Sequence, residues 1–162
     1  MTRPRERKYD VMIGEGKNVE SKIMTSEELR LLAWNRFKVI ICIVTARMVV
    51  TSSSGERIVY EDRWPRMGRV SLRLLEALLL NSGEYLTPVD LAEITGNDNL
   101  RENGTVAARI LAIRKTLWDR NETYIQTQKT PGHYAARWTG KPFIWVKRAP
   151  NELSAPHTTD GT

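Results

Sequence analysis

Between Thr105 and Leu117 the chain runs TVAARILAIRKTL, and Val106, Ile110, Ile113 and Leu117 fall at spacings of four, three and four. Residues spaced this way stack on one side of an α-helix, so the run must bury one stripe and expose the rest. Thr105, Arg109 and Arg114 lie off the stripe, and Ala107, Ala108 and Ala112 keep the outer face slim. A slim helix carrying Arg109, Arg114 and Lys115, with no acid inside it, suits the major groove of DNA. The same run also reads as an ordinary amphipathic helix with a solvated basic face, so its flanks decide between the two.

The flanking pattern changes period several times. Thr25 and Glu28 have capping-box spacing and predict a helix to about Phe37, with Leu29, Leu32 and Ala33 on its apolar side. Residues 38–51 are rich in Val and Ile and predict a strand. Ser52–Gly55 predicts a turn and residues 57–61 a second strand, together a β-hairpin that Trp64-Pro65 ends. Leu72, Leu75 and Leu79 predict a strongly apolar helix closed near Asn81–Gly83. Thr87 caps a short helix with Pro88 at its first position and Asp90 at its third, stopping at Gly96. After the helix at 104–118, broken by Asn121–Glu122, TYIQTQK predicts a strand. Thr130-Pro131-Gly132 then predicts a tight turn and HYAARW a returning strand. Phe143–Val146 extends that sheet.

Hairpin, helix, helix, loop, helix, hairpin is the order of a winged helix-turn-helix. The expected fold class is therefore α+β: a three-helix core with an N-terminal β-hairpin or sheet and a C-terminal wing hairpin. The expected organisation is a flexible charged arm at 1–23, holding at most a short strand around Tyr9–Ile13. A helix and β-hairpin at 24–63, the winged helix at 64–148 and a disordered tail at 149–162 follow.

Charge is distributed unevenly. Residues 104–148 hold nine Lys or Arg against Asp119 and Glu122, whereas residues 81–103 hold five acids against Arg101 alone. Basic charge concentrated on the last third is what a polyanion-binding surface requires. Other chemistries lack their residues. Cys42 is the one cysteine, lies in an apolar run and cannot form an internal disulfide. His133 and His157 have no neighbours at ligand spacing, so neither a metal nor any other cofactor is expected. GEGK at 14–17 is too short for a phosphate-binding loop, Ser52–Ser54 is a turn rather than a nucleophile elbow, and no paired acids have motif context, so no enzyme is expected. The longest apolar run, Val39–Val50, is interrupted by Arg47 and too short to span a bilayer. The charged start MTRPRERKYD is no secretory signal, so a cytoplasmic, nucleoid-associated protein is expected. The glycosylation-like triplets at Asn103 and Asn121 then read as chance matches.

Over roughly residues 46–138 the chain resembles the DNA-binding domain of the OmpR/PhoB family of bacterial response regulators. Met67-Gly68 with Leu72, Leu74 and Leu75 is similar to the start of that family's first helix, and Leu86-Thr87 with Leu91 to its scaffold helix. Thr105-Val106, Ile110, Ile113-Arg114-Lys115 and Leu117 resemble its recognition helix. Ile125-Gln126-Thr127, Lys129, Gly132 and His133-Tyr134 resemble its wing. The resemblance implies Thr105 on a phosphate, Ala108 and Arg109 near base edges, Arg114 on the backbone, and Thr127 and Lys129 on an adjacent phosphate or the minor groove. With Arg101, Ala112, Lys115 and His133 these make up the expected set of DNA contacts. The implied partners are double-stranded DNA, RNA polymerase through loop 97–103, and a second copy on direct repeats.

The departures are specific. Family members often carry two arginines where this chain has Leu111 and Ala112, and the wing has Thr130-Pro131 in place of a glycine-rich turn. No receiver domain accompanies these residues, so phosphorelay control is not expected. One arginine–guanine pair supplies about 1–3 kcal/mol of discrimination, too little for a long unique site. Tandem binding, or an arm carrying Arg3, Arg5, Arg7 and Lys8, would supply the rest. The expectation is a sequence-specific regulator of transcription. The alternative is a winged-helix protein-interaction module that docks on RNA polymerase or another protein, with Ala108, Leu111 and Ala112 as an apolar patch.

Overall fold

In the computed structural model, residues 7–52, 54–61, 67–130 and 133–149 are described. They form, in order, β1 (Lys8–Glu15), β2 (Asn18–Thr25), α1 (Ser26–Arg30), β3 (Val39–Cys42), β4 (Arg47–Thr51), β5 (Arg57–Tyr60), α2 (Gly68–Leu80), α3 (Pro88–Thr95), α4 (Asn103–Leu117), β6 (Ile125–Thr130), β7 (His133–Trp138) and β8 (Phe143–Arg148). The fold class is α+β. Six strands form one mixed sheet in the order β2-β1-β8-β3-β4-β5, and β6 and β7 pair as a separate hairpin. No helix among the described residues is long and apolar enough to cross a membrane.

The continuous apolar character of β3, β4 and β8 has a simple cause: the sheet is covered on both faces. Side chains alternate across a strand. Met12, Val39, Ile41, Met48, Val50, Phe143 and Trp145 therefore join the core shared with α2, α3, α4 and the β6–β7 hairpin. Val11, Ile13, Ile40, Val49, Ile144 and Val146 face the other way, against Met24, Phe37, Leu29, Leu32 and Trp34. The register keeps like with like, since Val39 lies opposite Phe143 and Ile41 opposite Trp145 in the parallel β3–β8 pair.

Four expectations change. The charged arm at 1–23 is, from Lys8 onward, an antiparallel hairpin pairing Lys8 with Thr25 through Glu15 with Asn18. Arg3 and Arg5 lie outside the described residues. The helix expected to reach Phe37 stops at Arg30, although its capping box is made: Glu28 N–H donates to Thr25 Oγ1 (3.2 Å) and Thr25 N–H to Glu28 Oε1 (3.0 Å). Phe37 is 1% exposed and its backbone is extended, because the chain must deliver that ring to the sheet two residues before β3 begins. The strand expected over 38–51 is two strands, folded back at a turn where Ala46 takes a left-handed φ of 53°. Phe143–Val146 does extend a sheet, but the six-stranded one, as part of its central strand β8. The tight turn at Pro131-Gly132, Trp64-Pro65 and the tail beyond Ala149 lie outside the described residues.

Two close approaches fix the hairpin of β1 and β2 against the body. Gly16 N–H donates to Gly140 O at 2.7 Å, and a Cβ on Gly140 would stand 2.9 Å from Gly16 Cα. Ser82 Oγ donates to Gly16 O at 2.5 Å, tying the same tip to the end of α2.

At α3 the sequence signals hold residue by residue. Thr87 caps α3 through a capping box with Asp90, Pro88 occupies the first turn, and Gly96 closes the helix at φ 71°, where a side chain would be strained. Thr87→Ala is expected to lower stability by about 1 kcal/mol with an unchanged urea m-value, because one backbone N–H loses its acceptor. Urea unfolding followed by circular dichroism checks this, and a loss below the error of the fit would mean that α3 is held by packing alone.

Candidate nucleic-acid interface

α4 starts where the acidic stretch ends. Val106, Ile110, Ile113 and Leu117 are all buried, as their spacing predicts. That orientation turns Ala108, Leu111 and Lys115 to solvent, with Thr105, Arg109 and Ala112 half-buried beside them. Leu111 is 54% exposed, so the outer ridge of α4 is mostly apolar with one lysine. The Arg109 guanidinium lies beside the start of α2, its Nη1 4.0 Å from where a Gly68 Cβ would stand. No described group pairs with Arg109, Lys115 or Lys129. Lys129 and His133 are exposed near the far end of the β6–β7 hairpin, opposite Tyr134 and Thr130 respectively.

Arg114 and Thr127 are arranged differently from what the resemblance implies. They meet each other, and both face inward. Arg114 Nη2 donates to Ile125 O (2.8 Å), Glu122 Oε1 (3.0 Å) and Thr127 Oγ1 (3.4 Å), and its Nε lies 3.9 Å from Asp119 Oδ2. Thr127 donates to Glu122 Oε1 from its N–H (2.7 Å) and from its hydroxyl (3.0 Å). Arg114 thus ties α4 to the base of β6. Arg101, in the 3-10 turn before α4, pairs with Asp98 at 3.1 Å.

Asp119 is the centre of this joint. Its carboxylate is fully buried and accepts from Tyr124 N–H (3.0 Å) and Ile125 N–H (2.9 Å). The Thr127 N–H, and secondarily its hydroxyl and Arg114, holds the Glu122 carboxyl below its ordinary pKa. Burial, together with Asp119, pushes the Tyr124 phenol up to about 12, so this hydroxyl stays protonated and donates to Thr51 O on β4. The connection itself is strained: Trp118, Asn121 and Glu122 all take left-handed φ values (53°, 61° and 54°) that non-glycine residues rarely adopt.

Trp118, the residue that ends α4, makes a second tie. Its indole N–H donates to Tyr60 Oη at 2.9 Å, and Tyr60 Oη donates to Thr116 O at 3.1 Å, pinning the end of α4 to β5. A further pairing links β7 to the residues before α3. Leu86 and Ala136 form an antiparallel bridge, with N–H to O distances of 2.8 and 3.0 Å.

Sequence reasoning passed over Arg69 and Arg73. They are four residues apart, exposed on one side of α2, and have no described partner. Their helical spacing was the available signal. Arg137 is also absent from the expected set, and it is occupied: it donates to Gln126 Oε1 (2.8 and 2.6 Å) and stacks on the Tyr85 ring at 4.5 Å.

In comparisons with protein-family models, curated proteins and solved structures, the chain matches none.

Proposed function

We propose that residues 67–138 work as a winged helix-turn-helix, with α2, α3 and α4 as its three helices and β6–β7 as its wing. In this reading the protein binds double-stranded DNA sequence-specifically as a transcription regulator. α4 enters the major groove and the wing reaches the neighbouring backbone or minor groove. The observation that carries the reading is the placement of unpaired cations. Arg109 and Lys115 on α4 and Lys129 on the wing have no partner among the described residues, whereas Arg114, Arg137 and Arg101 are all engaged. The Leu86–Ala136 bridge supports it further, because it ties the wing to the segment that leads into the scaffold helix.

The roles divide by residue. Arg109 and Lys115 supply base or phosphate contacts, Lys129 and His133 supply backbone contacts, and Arg114 positions the wing. Arg109→Ala is expected to relax preference at one base position by about 1–3 kcal/mol. Lys129→Ala is expected to weaken all duplexes alike and to lower the slope of log K against log salt by about one. Selection of bound duplexes from a random pool, followed by salt titrations of both variants, tests these expectations. Absence of duplex binding at low salt would overturn the reading.

A second reading has its own observation. Leu111 stands 54% exposed between Ala108 and Lys115, an apolar ridge suited to a protein partner rather than to phosphate. In that reading Leu111→Glu abolishes partner binding and leaves DNA affinity near zero in both forms.

A further inference from the structure

A cavity of about 450 Å³ opens between the sheet and the helices, bounded by β1, β2 and β8 on one side and α2 and α3 on the other. Its volume lies in the range of small-molecule sites, about 300–1,000 Å³. Three features of its wall stand out.

The first is apolar. Met12, Ala77 and Trp145 line it as members of the main core. Leu80 and Ile94 line it too, yet stand 51% and 46% exposed. Large aliphatic side chains left open at the rim of a concave site are surface that an apolar ligand covers.

The second is a bare cation. Arg73 lines the cavity from α2 and has no described partner, although Glu76 lies one turn away on the same helix. Glu76 is engaged elsewhere, since Lys147 Nζ stands 3.4 Å from Glu76 Oε2 and 3.9 Å from Asp10 Oδ2. The two acids therefore share Lys147, and neither is paired with Arg73. The guanidinium of Arg73 is left to bind an anion in the two-pronged geometry that carboxylates favour.

The third is an unmade hydrogen bond. Trp145 is 3% exposed, and its Nε1–H has no acceptor among the described residues. A buried donor without a partner costs about 1–3 kcal/mol; the nitrogen itself has almost no accessible surface, so the indole contributes contact area and no hydrogen bond to the site.

We infer that this cavity binds a small organic monocarboxylate with a ring-sized apolar body. The carboxylate sits on Arg73, and the body lies on Met12, Ala77 and Trp145 between Leu80 and Ile94. The inference is independent of DNA binding, because none of these residues lies on α4 or the β6–β7 hairpin.

Isothermal titration calorimetry of the full chain with indole-3-acetate, and with its uncharged isostere indole-3-acetamide, tests it. The acid is expected to bind with a Kd below about 1 mM and the amide at least roughly tenfold more weakly, a factor of the size that one charged hydrogen bond supplies. Arg73→Gln is expected to bring the acid down to the affinity of the amide. Ser21→Trp, on an exposed strand where a large residue is accommodated without touching the core, is expected to fill the mouth and abolish binding of both. Circular dichroism of both variants confirms the fold. No saturable binding of the acid, equal affinity for acid and amide, or wild-type affinity in both variants would each overturn the proposal.

Discussion

Asp119→Ala is expected to lower unfolding free energy by about 3–5 kcal/mol. The wild-type carboxylate is fully buried and accepts from two consecutive backbone N–H groups, Tyr124 and Ile125. Each hydrogen bond to a charged group contributes about 1.5–3 kcal/mol, and alanine would leave both donors in the interior with no acceptor. Arg114 loses part of its counter-charge at the same time, which adds to the cost. For a domain of this size the midpoint falls by roughly 10 °C. Asp119→Asn retains one acceptor oxygen and should lose about half as much. Thermal and urea unfolding of the two variants check the ranking. Equal stability of wild type and Asp119→Ala would show that the 118–122 connection is held by its packing and not by this carboxylate.

Trp138→Ala is expected to cost a similar amount, about 3–5 kcal/mol, for a different reason. The ring is 0% exposed, stacks on Tyr124 with centroids 5.5 Å apart, and meets Phe143 edge-on at 6.1 Å. Its indole N–H donates to Lys141 O at 2.9 Å. Tyr124 stands at the base of the β6–β7 hairpin and Phe143 begins the central strand of the larger sheet, so one side chain joins the two sheets. Truncation leaves a cavity at that joint. Trp138→Phe, which keeps an aromatic contact but no donor, should cost markedly less. Urea unfolding resolves the difference, and a loss under about 1 kcal/mol for alanine would mean that the joint relaxes around the gap.

The helical third of the molecule was legible from local chemistry. Thr87, Pro88 and Asp90 mark one end of α3 and Gly96 the other, and the stripe of α4 is buried at each of its four positions. These features depend on neighbours within one or two turns, which is the range over which periodicity and caps carry information. The sheet was legible only in part. β2 is an edge strand whose Glu20 and Lys22 face solvent, and a charged edge has the composition of a solvated arm. The turn at Ala46 carries no Gly, Pro or Asn, so nothing announced that the Val- and Ile-rich run folds back on itself. Helix α1 stops early because Phe37 and Trp34 are drawn onto the sheet, a tertiary demand that its capping box does not reveal.

The expected interface was legible as a set of residue types but not as a set of free side chains. Arg109, Lys115 and Lys129 have no partner among the described residues, whereas Arg114 and Thr127 are committed to each other and to Glu122. A sequence gives the charge of Arg114. Only the left-handed turn at Asn121 and Glu122, which brings Glu122 back under α4, determines what that charge meets.

Strand β8 lies between β1 and β3, and among the described strands it comes last in the chain. Until Phe143–Arg148 emerge, the nascent chain carries two half-sheets, β2–β1 and β3–β4–β5, each with an unpaired inner edge. The helices and the hairpin are synthesised in the interval and can fold on local contacts, but the larger sheet must wait for β8. Open edges flanked by Val and Ile are what other nascent chains pair with. Pausing or premature termination just before Phe143 therefore leaves two open inner edges exposed, and synthesis of β8 closes both.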